Sequence, residues 1–113
     1  MKVIEKIIEQ MNAVVENPSR VVSDYKKETG KGVVGCFPYY TPEEIVHASG
    51  MLPIGLWGGE TQVAEVHSIL PAFTCPIMQC NMEFALRGFY NELEAVIIPA
   101  PCDTLKSVGQ DWL

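Results

Sequence analysis

Apolar residues recur at helical spacing in the first part of the chain, with charged and amide residues on the opposite face. The apolar positions are Val3, Ile4, Ile7, Ile8, Met11, Val14 and Val15. Asn17-Pro18 then has the form of an N-cap followed by proline at the first helical position. This pair predicts a second helix from Pro18 through Lys27 that stops near Gly30. The two helices form a predicted N-terminal arm over residues 1–30.

After Gly32 the pattern changes to short apolar runs that alternate with helical segments. Strands are predicted at 33–37, 52–57 and 95–98, a helix over 77–89, and two further helices capped by Thr41 and Asp103. This alternation is typical of a parallel sheet with crossover helices. We therefore predict a partial α/β domain over 31–113, equivalent to half of a Rossmann or flavodoxin-like fold. Ligands of such sheets bind at the carboxyl ends of the strands.

Charge and composition exclude several classes of function. The 113 residues contain 8 Lys and Arg against 14 Asp and Glu, a net charge of −6. The basic surface that binds nucleic acid, or a polybasic membrane anchor, is therefore not expected. The apolar runs fall short of the ~18 residues of a membrane span. Glu5 and Glu9 interrupt what would be the apolar core of a signal peptide, so we expect a cytoplasmic protein.

The four cysteines differ in their predicted settings. In the cytoplasm, thiols and metal ligands are more common than disulfides. Cys102 and Cys75 each lie at a predicted helix start, a position that favours thiolates and suits a metal ligand. Cys36 lies inside a predicted strand and Cys80 inside a predicted helix, so both are predicted to be buried core residues. Chemistry alone leaves Cys75 and Cys102 open between metal ligands and unligated thiols.

Two segments resemble a known family. GCFPYYTPEEIVHASGMLPIGLWGG, over 35–59, resembles the start of the 2-hydroxyacyl-CoA dehydratase family, which includes benzoyl-CoA reductase subunits. PAPCDTLKSVGQDW, over 99–112, is similar to the cluster-binding stretch of the same family. The resemblance runs from about Gly32 to Trp112, and the two motifs occur in the right order. Family members are several times longer, so the resemblance implies an N-terminal portion.

The resemblance implies the cofactor, the partners and the reaction of this family. Each subunit pairs with a related subunit and holds an iron–sulfur cluster, usually four-iron four-sulfur, through three cysteine thiolates. A separate ATP-dependent activator supplies one electron to the acyl-CoA reaction. A 2-hydroxyacyl-CoA then loses water through a ketyl radical, which makes the enzyme a lyase. The cluster would supply this one-electron chemistry, and the protein its access and electrostatics.

Two ligands carry over residue by residue. Cys75 matches the family's first cluster cysteine and Cys102 the second. The third belongs to the C-terminal half of the family pattern and is not in this chain. Some members have a serine near the open iron in the first strand-end loop, where this chain has Tyr39. That departure puts a small hydroxyl at this position in doubt.

Three alternatives remain open at this point. The chain could be a benzoyl-CoA reductase-like subunit fragment instead of a dehydratase portion. It could be a cluster-free interaction or structural module of the same fold, as a homo-oligomer that covers its apolar arm. It could also be a simple thiol-based metal-binding protein, which would hold zinc in place of iron.

Overall fold

The computed structural model describes residues 2–112. Its helices are α1 (Lys2–Glu16), α2 (Pro18–Thr29), α3 (Glu43–Ala48), α4 (Pro76–Leu86) and α5 (Asp103–Asp111). Its strands are β1 (Val33–Cys36), β2 (Leu52–Gly55) and β3 (Ala95–Ile97), and a short 3₁₀ helix covers Glu65–Ser68. Two N-terminal helices and a βαβαβα order confirm the predicted α/β class with a helical N-terminal segment.

The three strands form one parallel sheet with the order β2-β1-β3. Gly35 in the central strand pairs with Ile54 on one side and with Val96 on the other. The connection from β2 to β3 therefore passes over β1 and carries α4. Because α3 connects β1 to β2 in the other direction, right-handed crossovers place α3 and α4 on opposite faces of the sheet.

Each face of the sheet has its own core. On the α3 side, Val34 and Cys36 pack with Val46. On the other side, a larger cluster joins the strand exits to the helices that cover this face. Its buried members are Phe37, Leu56, Val66, Leu70, Met78, Met82, Leu105 and Val108. The sheet is thus buried on both faces, as parallel sheets generally are.

The N-terminal arm is attached through its second helix. The side chain of Asn17 accepts the N–H of Arg20 at 3.1 Å, and Gly30 ends α2 in the left-handed conformation, so both predicted caps are confirmed. Val22 is buried, and Lys26 Nζ lies 2.8 Å from Glu94 Oε1 next to β3. By contrast, the apolar stripe of α1 is exposed to solvent along its length.

The predicted start of α3 and the predicted end of α4 are wrong. Pro42 takes the N-cap position of α3, and the Thr41 hydroxyl instead donates to the carbonyl of Phe37 at 2.7 Å. The helix predicted over 77–89 ends at Leu86, because Gly88 adopts a φ of 81° and its N–H closes on the carbonyl of Ala85.

Within residues 2–112, no helix combines the length and the apolar character that crossing a bilayer requires.

Candidate functional site

The carboxyl ends of the three parallel strands meet at one edge of the sheet. The N-termini of helices that follow parallel strands lie at this same edge. Both α4 and α5 begin there, and the two helices pack against each other. Side chains at the starts of α4 and α5 are therefore presented on the same side of the molecule.

Cys102 is the N-cap of α5. Its Sγ accepts the backbone N–H of Leu105 at 3.5 Å, and its carbonyl accepts the N–H of Lys106 at 3.1 Å. The prediction that Asp103 caps this helix is wrong, since Asp103 is the first helical residue and its carboxylate pairs with Lys106 Nζ at 3.2 Å. Sulfur thus takes the place usually held by a capping oxygen, and Cys102 remains exposed.

Cys75 is the N-cap of α4, immediately before Pro76. Its side chain takes part in no capping hydrogen bond within residues 2–112, and the residue is exposed. The thiol is therefore available to a ligand. Cys75 and Cys102 both stand at helix N-termini, as predicted, where backbone N–H groups and the helix dipole favour negative charge.

Two thiols do not complete a metal centre. In the part of the chain that the structure describes, no three His, Cys, Asp or Glu side chains form a group that could hold a metal ion. The donor set is of the right chemical type for an iron–sulfur cluster, since thiolates are its usual ligands. It supplies two of the three cysteines that the family resemblance implies.

The other two cysteines have different environments. Cys36 is 1% exposed and lies 3.8 Å from the carbonyl of Val34, so its predicted burial is confirmed. Burial, followed by the nearby charge of Glu43, raises the pKa of the Cys36 thiol. Cys80 is half-buried, so it is not the fully buried core residue predicted. It lies on α4 next to the turn at Gly58.

Of the four thiols of the native chain, we expect two to react fast and one very slowly, with the half-buried Cys80 between them. Cys75 and Cys102 are exposed and should react readily with an alkylating reagent at pH 7.5. Cys36 should react at least about a hundredfold more slowly, because it is buried and thiolates are the reactive form. Mass spectrometry of peptides after timed alkylation measures each rate. Comparable labelling of Cys36 and Cys75 in folded protein would contradict the arrangement.

Exposed aromatic side chains lie at the same edge. Tyr39 and Tyr40, in the loop that leaves β1, have positive φ values of 74° and 58°. Such values are uncommon outside glycine and are often found at functional sites. The Tyr39 ring meets Trp57, which follows β2, edge-to-face at 6.2 Å. These aromatic residues give the carboxyl edge an apolar wall.

Three buried polar residues on α4 were missed by sequence reasoning: Gln79, Asn81 and Glu83. Asn81 donates to the carbonyl of Leu56 at 3.1 Å and accepts the hydroxyl of Tyr90 at 2.9 Å. Burial, followed by the nearby Cys80, raises the pKa of Tyr90 to about 12. This network fixes the exit of β2 against α4.

Glu83 forms a second network with the start of the 3₁₀ helix and the segment before it. Its Oε2 accepts the backbone N–H groups of Ala64 and Val66, each at 3.0 Å. Its Oε1 accepts from Arg87, which also donates to the hydroxyl of Thr61. Burial alone would raise the pKa of this carboxyl. The N–H groups of Val66 and Ala64 and the Arg87 guanidinium outweigh burial and hold the pKa of Glu83 below its usual range.

This lowered pKa makes stability depend on acid. Glu83 takes up a proton at higher pH in the unfolded chain than in the folded one. Its contribution is therefore complete above its unfolded pKa of about 4.3 and is lost as the pH falls through the folded value. We expect the free energy of unfolding, measured in urea from pH 7 to pH 3, to fall more steeply than in Glu83→Gln. Parallel curves below about pH 4.5 would contradict this role.

The two exposed thiols lie in a segment shared with a known protein family. The model of the family described as 2-hydroxyglutaryl-CoA dehydratase, D-component, matches residues 38–112. This span holds α3, β2, α4, β3 and α5 and includes both Cys75 and Cys102. The region with the two exposed thiols is therefore the region that the family has in common.

Individual relatives of the same family match nearly the whole of this chain. The chain is 48% identical over 113 residues to the protein named lactoyl-CoA dehydratase subunit beta of Anaerotignum propionicum, covering 99% of this chain and 30% of that protein. It is 38% identical to (R)-2-hydroxyglutaryl-CoA dehydratase, subunit beta, of Acidaminococcus fermentans, over 96% of this chain and 29% of that protein. It is also 27% identical to one of the benzoyl-CoA reductase subunits of Thauera aromatica, over 94% of this chain and 28% of that protein.

The chain spans less than a third of the length of these curated relatives, while they match it almost from end to end. The PEE and CDTLK motifs, the α/β fold and the family match over 38–112 all agree. This chain belongs to the 2-hydroxyacyl-CoA dehydratase family, of the 2-hydroxyglutaryl-CoA dehydratase D-component type.

Proposed function

We propose that this chain is the N-terminal part of an iron–sulfur 2-hydroxyacyl-CoA dehydratase subunit, in which Cys75 and Cys102 are two cluster ligands. The observation that carries the proposal is the position of these residues. Both are exposed N-caps of neighbouring helices at the carboxyl edge of a parallel sheet. They are also the cysteines that the family resemblance assigns to the cluster.

Several features of the chain suit a thiolate-held cluster. The N–H of Leu105 reaches Cys102 Sγ, and such hydrogen bonds stabilise the negative charge of a ligand sulfur. The starts of α4 and α5 direct further backbone N–H groups to the same edge. A cluster bound there would supply one-electron chemistry for the radical elimination of water from a 2-hydroxyacyl-CoA.

The chain's own residues would position and shield the cluster. The β1 exit loop presents Tyr39 edge-to-face against Trp57, and the two exposed rings offer a bulky apolar surface that would shield a group bound at this edge from water. Limited access of water affects the reduction potential of a cluster. Tyr39 stands where some members of the family have serine, so we propose a shielding role for it and not a small-hydroxyl role.

Completion of the site requires more than these residues. Two thiolates are fewer than the three or four that such clusters take, so the cluster needs at least one further ligand, from a second copy of the chain, a partner subunit or an added small thiol. Two of the relatives are named as beta subunits of dehydratases. We propose on this basis a related partner subunit, an acyl-CoA substrate and an ATP-dependent activator, with the complete assembly acting in the cytoplasm.

Elemental analysis of the anaerobically purified chain, together with sedimentation, tests the assignment. We expect iron, with little zinc. Zinc bound at a ratio near one per chain would instead favour the simple thiol site. A metal-free, folded homo-oligomer would favour the structural module. Either result would count against the proposed function.

A further inference from the structure

Gln79 is placed to control the loop that presents Cys75. It lies one helical turn after Cys75 on α4 and is 7% exposed. Its backbone N–H donates to the carbonyl of Cys75 at 3.0 Å. Its side-chain Nε2 reaches back to the carbonyls of Ala72 and Thr74, at 3.1 and 2.8 Å. One residue therefore holds the chain on both sides of the thiol.

The loop before Cys75 is also closed by hydrogen bonds between its own residues. Thr74 donates both its N–H and its hydroxyl to the carbonyl of Pro71, at 3.1 and 2.8 Å. Gln79 Nε2 also lies 3.2 Å from the Thr74 hydroxyl oxygen. Residues 71–74 are thus closed into a compact turn, and its Ala72 and Thr74 carbonyls accept from the Gln79 carboxamide. The turn leads directly into Cys75.

The other two buried polar residues of α4 hold different segments. Asn81 holds the β2 exit at Leu56, and Glu83 holds the amides of Ala64 and Val66. Gln79 is the one of these three that bonds to the residues next to Cys75. Because the three residues have different partners, a comparison of their variants separates a local effect on the Cys75 thiol from a general effect on the packing of α4.

On this geometry, and on the proposed function of Cys75 as a cluster ligand, we infer that Gln79 is the positioning residue for the Cys75 thiolate. It orients the ligand through the backbone of residues 72–75 and does not touch the metal. Groups that orient a ligand in this way commonly affect metal affinity by about 10- to 100-fold.

The test compares two isosteric variants of α4. Gln79→Met keeps the length of the side chain and removes the carboxamide donors. Asn81→Leu keeps a side chain of similar size and removes the carboxamide that bonds to Leu56 and Tyr90. Hydrogen exchange of residues 72–79 should become about tenfold faster in Gln79→Met and stay near the wild-type rate in Asn81→Leu. Thermal unfolding of both variants shows whether each is folded.

Iron retention gives the second measurement. All three proteins are reconstituted anaerobically with ferrous iron, sulfide and a small thiol that can fill vacant ligand positions, and are then challenged with a chelator. Gln79→Met should lose iron about tenfold faster than wild type, and Asn81→Leu should not. Equal protection and equal iron retention in Gln79→Met and wild type would overturn the inference. If wild type itself holds no iron, the proposed function fails. This result differs from a failure of the inference alone, because Cys75 would then not be a cluster ligand for Gln79 to position.

Discussion

Replacing Cys102 with serine is expected to abolish iron binding by the anaerobically purified chain. The serine hydroxyl could still cap α5, because oxygen accepts the N–H of Leu105 better than sulfur does. The fold should therefore survive, while the thiolate ligand is lost. Cys75→Ser should have the same effect from the start of α4. We expect iron per chain to fall by at least about tenfold in either variant. Mutation of residues that only hydrogen-bond to a metal ligand can already weaken metal binding by this factor.

Cys36→Ser is the matched control. Cys36 is buried in the sheet and packs on the α3 side of it, while α4 and α5 cover the opposite face. This variant should keep its iron, although it should lose some stability because it places a hydroxyl in an apolar core. Iron content measured beside circular dichroism separates ligand loss from unfolding. Equal iron loss in Cys36→Ser and Cys102→Ser would contradict the assignment of ligands.

The second large effect is on the free energy of unfolding and comes from the ion pair between Glu83 and Arg87. Arg87→Leu removes the cation that pairs with Glu83, whose side chain is 0% exposed. The carboxylate would keep two backbone N–H donors but lose its counter-charge in a buried site. We expect a loss of about 3 kcal/mol in the free energy of unfolding, since an uncompensated buried charge is strongly destabilising. That is a large part of the stability of a small domain.

Arg20→Leu makes the same chemical change at an exposed ion pair. Arg20 lies 3.5 Å from Asp24 on α2, and both side chains are more than half exposed. Its removal should change the free energy of unfolding by less than about 0.5 kcal/mol. Urea unfolding at pH 7 compares the two variants directly. Similar losses in both would mean that the Glu83–Arg87 pair stabilises the fold no more than a surface contact does.

Local pattern was enough to predict most of the fold. The stripe of α1, the Asn17-Pro18 start of α2 and the Gly30 stop depend on residues close in sequence, and the structure has all three. The parallel sheet followed from the alternation of strands and helices, because parallel strands need such crossovers. Each strand ends one or two residues earlier than predicted, since apolar exit residues such as Phe37 and Leu56 continue into the core beyond the last strand pairing.

The helix starts show where local pattern is insufficient. Thr41 has the sequence of a capping box, yet its hydroxyl bonds back to Phe37 because the loop before it turns through the positive φ values of Tyr39 and Tyr40. Asp103 is a better cap than cysteine by preference, yet the chain enters α5 one residue earlier and Cys102 takes the position. Both outcomes depend on how the strand exit is packed, which sequence spacing does not contain.

The thiols and their supports differ in how far they could be predicted. The helix-start positions of Cys75 and Cys102 followed from the pattern, and the family resemblance added the ligand roles. The supporting side chains on α4 could not be found in this way, because a glutamine or glutamate in a mixed helix is normally solvated. Their partners lie up to 25 residues away, as with Asn81 and Leu56. Only the folded crossover brings them together.

Iron and acid-labile sulfide, measured together with the visible absorbance spectrum after strictly anaerobic purification, test the central claim most directly. When a small thiol is supplied to fill the remaining ligand position, we expect iron and sulfide in near-equal amounts, with a broad thiolate-to-iron absorbance that is lost in air. A colourless, iron-free and well-folded chain would contradict the claim, because Cys75 and Cys102 would then be exposed thiols of a family fold and not cluster ligands.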